Sequence, residues 1–317
     1  MQHLFLHKSI DHSQGLNLFH ERKLLEKSVK TMSDQSRNAY LAAEINDLDN
    51  YEFFDLLKKV ERTARLDYEK FQELFLTLDS ATTLHYRVTS AKREPSTVTW
   101  IESLAPDAVF FDIGANVGAY SLIAASQKNV VRAFAFEPRY ANFHSLKRNI
   151  SINGFGEKIV ALNVALSHAS GLGPFQHWDD YEAFEVGSSG HQFGESITED
   201  GHAFDPVYTE TIMALSIDDI CKMIGVVPTD IKVDVDGIEL ELLKGGFTTL
   251  ANPEVRSVMV ECNIGTDGIT SLMKDAGFMV GSISEHNNIL FCSPVILSGI
   301  FSSLIKRRQL RVGTDQP

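Results

Sequence analysis

The fold is decided by the stretch Phe110-Phe111-Asp112-Ile113-Gly114-Ala115-Asn116-Val117-Gly118. The run Val109–Ile113 is apolar except for Asp112, which is typical of a strand that is buried on both faces. Gly114 lets the chain turn sharply and lets a ligand approach the backbone, and Gly118 allows close packing where a helix begins. Taken alone, such a glycine turn is explained equally well by a purely structural role.

The turn differs from the dinucleotide-binding fingerprint. That fingerprint requires glycines at positions 114, 116 and 119, and this chain has Asn116 and Ala119 at the second and third of them. One close approach of the backbone is therefore missing, which counts against a pyrophosphate ligand.

A regular alternation of short apolar runs and helical patterns surrounds the turn. It predicts a doubly wound, mostly parallel sheet that binds its ligands at the carboxyl ends of the strands. The predicted strands are Val109–Ile113, Val131–Phe136, Ile159–Leu162, Asp230–Val233, Val255–Val260, Phe278–Ile283 and Ile289–Cys292. The predicted helices are Ala119–Ser126, Tyr140–Ile150, Ile217–Ile224 (capped by Ser216), Glu239–Leu243 and Gly268–Ala276. Residues 167–208, rich in Gly, Ser, His and acids, are predicted to form a long surface loop.

The beginning of the chain has a different pattern. From Leu41 to Leu78, apolar residues recur in steps of three and four, which predicts helices. We interpret residues 1–95 as a helical N-terminal extension, either a cap on the main domain or an element through which two copies form a homodimer. Residues 96–293 then form the α/β domain, and residues 294–317 form a short helix and a basic tail.

Charged residues gather where the predicted strands end. Glu137 ends the second strand, where a carboxylate can accept hydrogen bonds from both hydroxyls of a ribose. The alternative is a solvated acid at a strand end. Together with the glycine turn, Glu137 favours a ligand that contains adenosine.

A denser group of charges follows a later strand. Lys232, Asp234 and Asp236 share one face of an extended segment, and Glu239 falls in the first turn of the next helix. Burying four charges at a strand end is costly unless they meet partners or a substrate. A structural ion-pair network is the alternative. Glu261 ends the next strand and lies beside this group if the strand order is regular.

Together these segments resemble the FkbM family of S-adenosylmethionine-dependent methyltransferases. The family motifs are matched by Asp112–Gly118, Glu137-Pro138, the set Leu146, Asn149 and Asn153, Ile217-Asp218-Asp219, Lys232–Glu239 and Glu261. The resemblance covers roughly residues 95–292. It departs from the family pattern where Ile217 stands in place of the usual Leu and Asp236 in place of the commoner Glu.

The resemblance implies an α/β fold of the class I methyltransferase type, a Rossmann-like doubly wound sheet, with S-adenosylmethionine as cofactor. Glu137 would hold the ribose, and the adenine would lie beside Asn163 and Ala165. From the residues alone, Asn163 fits a loop cap equally well. The implied cofactor-binding residues are Asp112, Gly114, Asn116, Gly118, Glu137, Asn163 and Ala165.

The resemblance further implies methylation of a hydroxyl on a sugar or natural-product small molecule. A hydroxyl acceptor must lose its proton, so the site needs a base. The candidate bases are Asp234, Asp236, Glu239 and Glu261. We predict that Asp234 is the base and that Lys232 orients it. A lysine close to an acid lowers the pKa of that acid, which makes it a weaker base.

Two other arrangements stay open. His177 or His191, on a lid over the site, is an alternative base, and Trp178 and Tyr181 would form either a platform for a ring or ordinary packing. The oxygen donors suited to magnesium are Asp234, Asp236, Glu261 and Asn263. We predict that the protein uses no metal.

The composition limits the partners. The chain has 317 residues and a formal net charge of −13, which argues against nucleic acid and against a strongly anionic acceptor, and suggests a neutral hydroxylated one. Its three cysteines fit a reducing compartment, so we expect a cytoplasmic protein. The uncharged stretch Ile289–Ile305 contains Pro294 and Gly299, and we expect a strand and a short helix there rather than a membrane span.

Two other functions compete with the methyltransferase. A nucleotide-dependent oxidoreductase would use a similar sheet, but the glycine that is missing from the turn counts against it. A catalytically degenerate methyltransferase fold would serve as a binding subunit, but the intact acidic group counts against that function.

Overall fold

The structure is a computed structural model. It describes residues 63–68, 70, 73–178, 185–196, 198, 201–284 and 287–294. The helices predicted before residue 63, the dimerisation through them, and the C-terminal helix and basic tail lie outside the described residues. The described residues all belong to one compact unit.

A seven-stranded sheet forms the centre of this unit. Its strands are β3 (Ala108–Ile113), β4 (Val130–Phe136), β5 (Ile159–Leu162), β10 (Asp230–Val233), β11 (Ser257–Glu261), β12 (Met279–Ile283) and β13 (Asn288–Cys292). Their order is β12-β13-β11-β10-β3-β4-β5, and only the pairings of β13 with its two neighbours are antiparallel. The predicted α/β fold of the class I methyltransferase type is confirmed.

Helices cover the sheet. They are α1 (Ser90–Arg93), α2 (Pro95–Glu102), α3 (Ala119–Ser126), α4 (Tyr140–Ile152), α5 (Ile217–Ile224), α6 (Glu239–Lys244), α7 (Phe247–Leu250) and α8 (Thr266–Asp275). Alternate side chains of β3 enter different cores, since Phe110 packs with Trp100 and Phe111 packs with Phe134 and Phe136. Burial of both faces explains why this strand has an almost continuously apolar sequence.

The strand order places the functional site. Successive crossovers lead from β3 to β4 and β5 on one side, and later ones lead to β10 and β11 on the other. The order therefore reverses between β3 and β10, and the carboxyl ends of these two strands diverge into a crevice. Open sheets of this class bind their ligands at such a point.

The helical prediction is wrong for residues 63–77. Here β1 (Thr63–Arg65) and β2 (Phe75–Thr77) form an antiparallel pair. Leu74 and Leu76, two residues apart, are both fully buried, which is the period of a strand. Tertiary packing therefore overrides the three- and four-residue spacing that favoured a helix. Residues 83–95, which were also predicted to be helical, contain a π-helical segment at Thr83–Arg87, helix α1 and the first residue of α2, and α2 continues beyond the prediction to Glu102.

The prediction of a long loop over residues 167–208 is also wrong. A second sheet has the order β6-β9-β7-β8 and includes β7 (Gly171–His177) and β8 (Gln192–Phe193). The other two strands are β6 (Ala165–Leu166) and β9 (Tyr208–Leu215). Much of β7 and β9 is exposed. Strand β7 has no apolar run, and the apolar run of β9 is confined to its end at Ile212–Leu215.

The uncharged stretch Ile289–Ile305 was predicted to begin with a strand rather than to span a membrane. Ile289–Cys292 lies within β13, so the predicted strand is confirmed. Among the residues that the structure describes, none belongs to a helix that is both long and apolar enough to cross a bilayer.

Candidate active site

A cavity opens at the carboxyl ends of β3, β4 and β10, where the strand order reverses. Its walls come from the glycine turn after β3, the end of β4, the residues after β5 and β10, and the segment 187–193. The lining residues are Arg87, Ile113, Gly114, Asn116, Phe136, Glu137, Pro138, Asn142, Val164, Ala165, Leu166, Phe175, Ser188, Ser189, His191, Phe193, Asp234, Val235, Asp236 and Ile238.

The glycine turn is required by the fold itself. Gly114 has a φ of +79°, and a Cβ atom at this position would lie 1.8 Å from the carbonyl oxygen of Asp234. A Cβ atom at Gly118, which has a φ of +91°, would lie 2.4 Å from Cδ1 of Leu146. Both glycines therefore bring main chain close to a neighbouring element, and Gly114 brings the turn against the segment after β10 as well as against the cavity.

Glu137 is held firmly at the end of β4. Its Oε2 accepts a hydrogen bond from the backbone N–H of Asn116 at 2.8 Å, and its Oε1 accepts one from the N–H of Arg139 at 2.9 Å. The residue is only 5% exposed. Burial raises the pKa of Glu137 to about 7, even though these hydrogen bonds favour the ionised form. Its predicted position beside the glycine turn is what the structure shows.

Two of the residues predicted for the adenine differ in position. Ala165 lines the cavity beside Val164 and Leu166. Asn163 is not among the lining residues, and its Nδ2 donates to the carbonyl oxygens of Glu137 at 2.9 Å and Pro138 at 2.8 Å. The structure thus favours the loop cap that was the alternative for Asn163.

Asp112 is buried near the end of β3, just before the glycine turn. It is 1% exposed, it is not among the lining residues of the cavity, and its Oδ2 accepts a hydrogen bond from Ser121 at 2.5 Å. Burial raises the pKa of Asp112, although the nearby ammonium of Lys232 acts in the opposite direction. Gly118 also lies behind the cavity, so Asp112 and Gly118 shape the site without lining it.

The buried Lys232 forms an ion pair with Asp234, which is partly exposed. Lys232 is 1% exposed, its Nζ lies 2.6 Å from Oδ2 of Asp234, and it also lies 4.7 Å from the centre of the Tyr120 ring. Burial acts to raise the pKa of Asp234, but the ammonium of Lys232 outweighs it and holds the pKa below its usual value. Asp234 is therefore ionised and faces the cavity.

Glu261 completes a group of three carboxylates with Asp234 and Glu94. Their carboxylate oxygens lie within 4.8 Å of one another. Burial, together with the charge of Asp234, raises the pKa of Glu261 to about 9, so this acid carries a proton near neutral pH. With Lys232 already paired to Asp234, the group is suited to sharing a proton. Of the donors considered for magnesium, Asp236 and Asn263 lie outside this group of three.

Asp236 and Glu239 differ in their access to the cavity. Asp236 lines it, has a φ of +56°, and accepts a hydrogen bond at Oδ2 from the N–H of Gly190 at 2.7 Å. Glu239 is 1% exposed and turns back to accept from the N–H of Gly237 at 2.8 Å. Burial raises the pKa of Glu239 to about 7. Among the four acids proposed as bases, Asp234 and Asp236 are the two that line the cavity.

Residues 185–193 contribute Ser188, Ser189, His191 and Phe193 to the lining of the cavity. Of these, only His191 was considered from the sequence, on a lid over the site. The backbone of Gly187 donates to Oδ1 of Asn142 at 2.7 Å, and the carbonyl of Ser188 accepts from Nδ2 of Asn116 at 3.0 Å and of Asn142 at 3.2 Å. Arg139 donates to the Ser188 side chain. We refer to residues 185–193 as the strap.

The histidines are poor candidates for the base. Burial and the charges of Arg139 and His177 lower the pKa of His191, on the strap, to about 3. His177 is directed to Glu210, with its Nε2 at 2.9 Å from Oε1, and it is not among the residues that line the cavity. Trp178 is 55% exposed, and Tyr181 lies outside the described residues.

Arg87, Glu94 and Asn142 are the functional candidates that sequence reasoning missed. Arg87 and Asn142 line the cavity, and Glu94 joins the carboxylate group. Arg87 and Glu94 precede the domain boundary placed at residue 96, in a region where no motif directed attention to them. Asn142 lies in α4, four residues before the first residue of the Leu-x-x-Asn motif.

Comparison with known sequences gives one family model and two relatives. A sequence model of the family described as the methyltransferase FkbM domain matches residues 112–280, more than half of the chain. The hexuronic acid methyltransferase AglP of Haloferax volcanii is 32% identical over 180 residues, which are 56% of this chain and 65% of AglP. The AMB antimetabolite synthetase AmbE of Pseudomonas aeruginosa is 25% identical over 199 residues, which are 55% of this chain and 9% of AmbE.

Solved structures include a methyltransferase FkbM from Methylobacillus flagellatus. It is 15% identical, has a TM-score of 0.41, and is matched over 88% of this chain and 60% of its own. The chain thus spans less than two thirds of the length of each of these three proteins.

Proposed function

Because the chain belongs to the FkbM methyltransferase family, we propose that it methylates a hydroxyl group of a sugar or natural-product small molecule with S-adenosylmethionine. One observation carries this proposal. A single cavity brings together the glycine turn, the buried carboxylate of Glu137 and the ionised carboxylate of Asp234. A ribose-binding acid and a proton acceptor at one strand-order reversal are what such a transfer requires.

The residues present fit the cofactor. The carboxylate of Glu137 is fixed by two backbone hydrogen bonds and lines the cavity, which suits it to hold the ribose hydroxyls. Val164, Ala165 and Leu166 offer an apolar wall for the adenine. Gly114 and Asn116 would face the methionine part. When bound, the cofactor supplies a methyl group on a positively charged sulfur.

Asp234 would then accept the proton of the acceptor hydroxyl. The cofactor would supply its methyl group to the hydroxyl oxygen as its own sulfur–carbon bond broke, and the hydroxyl proton would become strongly acidic during the transfer. A carboxylate of low pKa can therefore take the proton, so the lowered pKa of Asp234 does not disqualify it. Lys232 keeps Asp234 ionised and in place, and alignment of donor and acceptor supplies much of the acceleration.

One relative supports the acceptor class, and family membership supports the reaction class. The relative AglP is named a hexuronic acid methyltransferase, which supports a sugar or sugar-like acceptor with hydroxyl groups. Family membership favours the methyltransferase over the nucleotide-dependent oxidoreductase. A degenerate binding subunit would keep the cofactor pocket and lose the transfer.

A transfer assay tests the proposal. Protein is incubated with isotopically labelled S-adenosylmethionine and an extract of small molecules from the host, and labelled products are identified by mass spectrometry. We expect a product with a methyl ether. Asp234→Asn should lower kcat by about 100-fold or more, whereas Asp275→Asn, an exposed acid on α8, should leave it unchanged. Cofactor binding without any labelled product would favour the binding subunit.

A further inference from the structure

Arg87 holds an unusual position in the cavity. It ends the π-helical segment Thr83–Arg87 and is half-buried in the cavity wall. Its Nε donates to the carbonyl oxygen of Gly187 at 2.7 Å. A Cβ atom at Gly187 would lie 3.2 Å from Cγ of Arg87, so the strap packs closely against the arginine stem. The guanidinium is thus fixed at one nitrogen, and no described residue accepts a hydrogen bond from its two terminal nitrogens.

The charge of Arg87 has no ion-pair partner among the residues that the structure describes. Asp234 is near enough to feel this charge, which contributes to its lowered pKa, but it is already paired with Lys232 at 2.6 Å. Leaving a guanidinium partly desolvated without a counter-charge is costly. The free edge of a guanidinium matches a carboxylate with two parallel hydrogen bonds.

We propose that Arg87 is the carboxylate-binding residue of this cavity. The inference rests on the proposed function and deepens it. The carboxylate has two sources, the amino-acid end of the cofactor or an acid group on the acceptor. Either source would place a negative charge beside the terminal nitrogens of Arg87. The positive charge of Arg87 would then offset the repulsion between that carboxylate and Asp234.

Binding measurements with three probes test this proposal. S-adenosylhomocysteine carries the carboxylate, 5′-methylthioadenosine has the same nucleoside without it, and D-glucuronate represents an acid acceptor. Calorimetry is carried out on the wild type, on Arg87→Met and on Arg93→Met. Arg93 is an exposed arginine of α1 that stacks on Tyr86, so its variant controls for the loss of a charge. D-glucuronate is titrated into protein saturated with S-adenosylhomocysteine.

If the carboxylate belongs to the cofactor, Arg87→Met should weaken S-adenosylhomocysteine by about 10- to 100-fold. Its affinity for 5′-methylthioadenosine should stay within about twofold of the wild type. If the carboxylate belongs to the acceptor, both nucleosides should bind as before, and D-glucuronate binding should be lost. Arg87→Lys keeps the charge without the paired hydrogen bonds and should give an intermediate affinity for the same probe.

Two results would overturn the inference. Equal weakening of S-adenosylhomocysteine and 5′-methylthioadenosine would show that Arg87 only supports the strap. Unchanged binding of the nucleosides, with D-glucuronate binding that is absent or the same in both proteins, would show that Arg87 binds no carboxylate. Failure of the proposed function looks different. If the cavity is not a cofactor site, the wild type binds neither nucleoside; if only the transfer fails, the wild type binds both nucleosides and gives no labelled product.

Discussion

At the scale of single residues, Glu137 is a buried acid in the wall of the proposed cofactor pocket. Both of its oxygens accept backbone hydrogen bonds, and yet burial raises its pKa to about 7. Ribose hydroxyls would donate to the ionised carboxylate, so binding must be accompanied by loss of the proton whenever the pH is below this value. Proton release and cofactor binding are therefore linked.

We expect the affinity for S-adenosylhomocysteine to rise as the pH increases from 6 to 8. Glu137→Ala should weaken binding by about 1.5–3 kcal/mol at pH 8, as expected for a lost hydrogen bond to a charged group, and should flatten the pH dependence. Calorimetry in buffers of different ionisation enthalpy measures both effects. Glu157→Ala, at an exposed acid, serves as control. Unchanged binding in Glu137→Ala would refute the ribose assignment.

Gly114 and Gly154 share a left-handed backbone but differ in their surroundings. A Cβ atom at Gly114 would collide with the Asp234 carbonyl, whereas one at Gly154, which has a φ of +72°, meets nothing within 4 Å. Gly154→Ala should therefore cost only about 1–2 kcal/mol for the backbone conformation. Gly114→Ala should lower the free energy of unfolding in urea by more than about 3 kcal/mol or prevent folding. Similar costs at both positions would contradict this account.

At the scale of elements, two asparagines attach the strand β2 to the domain, Asn149 in α4 and Asn153 directly after it. Asn149 accepts at Oδ1 from the N–H of Thr77 at 2.7 Å and donates from Nδ2 to the carbonyl of Val117 at 2.8 Å. Asn153 bonds both the N–H and the carbonyl of Phe75. The spacing of the Leu-x-x-Asn-x-x-x-Asn motif thus places two amides along one edge of a strand.

Asn149→Ala should lower the free energy of unfolding by about 2–4 kcal/mol, because it leaves buried donors and acceptors without partners. Urea denaturation measures the loss, and Lys147→Ala, at an exposed position of the same helix, should have little effect. A change below about 0.5 kcal/mol in Asn149→Ala would mean that water replaces the amide at β2.

The strands of the central sheet were predictable because burial on both faces requires a run of apolar residues in each strand. Helix α3 and strands β5 and β10 have the predicted bounds. Strand β7 escaped prediction because Gly171, Gly173 and Pro174 leave it with neither an apolar run nor a strand-like composition. In β9, the apolar run Ile212–Leu215 comes only at the end of a largely exposed strand. Helix signals failed at β1 and β2, where the backbone of β2 donates hydrogen bonds to the side chains of Asn149 and Asn153.

The residues of the site were predictable where a sequence motif lies at the carboxyl end of a strand. Glu137, Asp234 and Asp236 reach the cavity because the carboxyl ends of parallel strands meet at one edge. The positions of Arg87 and Glu94 depend on how the segment before the sheet folds back over it. No local sequence pattern indicates this fold. The chemical environment also had to be seen, because the same motif supplies Asp234 with a lowered pKa and Glu239 with a raised one.

At the scale of the whole molecule, buried acids make stability depend on pH. Glu137, Glu239 and Glu261 all have pKa values above the usual 4.5. A raised pKa gives stability that is fully present below 4.5 and is lost as the pH rises through the folded-state pKa. Asp234, with a lowered pKa, stays ionised in this range and adds no slope. These three acids should therefore lower the free energy of unfolding between pH 5 and 9.

Glu261→Gln should make this decline shallower. Glutamine resembles the protonated acid in shape and cannot ionise, so the variant should unfold at a higher urea concentration than the wild type at pH 9 and at a similar one at pH 5. Each proton that the folded state retains contributes up to about 1.4 kcal/mol per pH unit. A wild type and a variant with parallel pH profiles would show that Glu261 titrates normally.

The net charge of −13 is locally offset around the cavity. Near neutral pH, the protonated Glu261 and the ammonium of Lys232 reduce the negative charge around Asp234. Arg87 adds a positive charge to the cavity wall. The acidic composition therefore does not by itself exclude a ligand with one carboxylate, although it still argues against polyanions such as nucleic acid.

Calorimetric titration of the wild type with S-adenosylhomocysteine tests the central claim most directly, with NAD as the comparison ligand. We expect saturable binding of one S-adenosylhomocysteine per chain, weakened by Glu137→Ala, and no binding of NAD. Absence of S-adenosylhomocysteine binding at protein and ligand concentrations where the wild type remains folded would contradict the assignment of this cavity to a methyl donor.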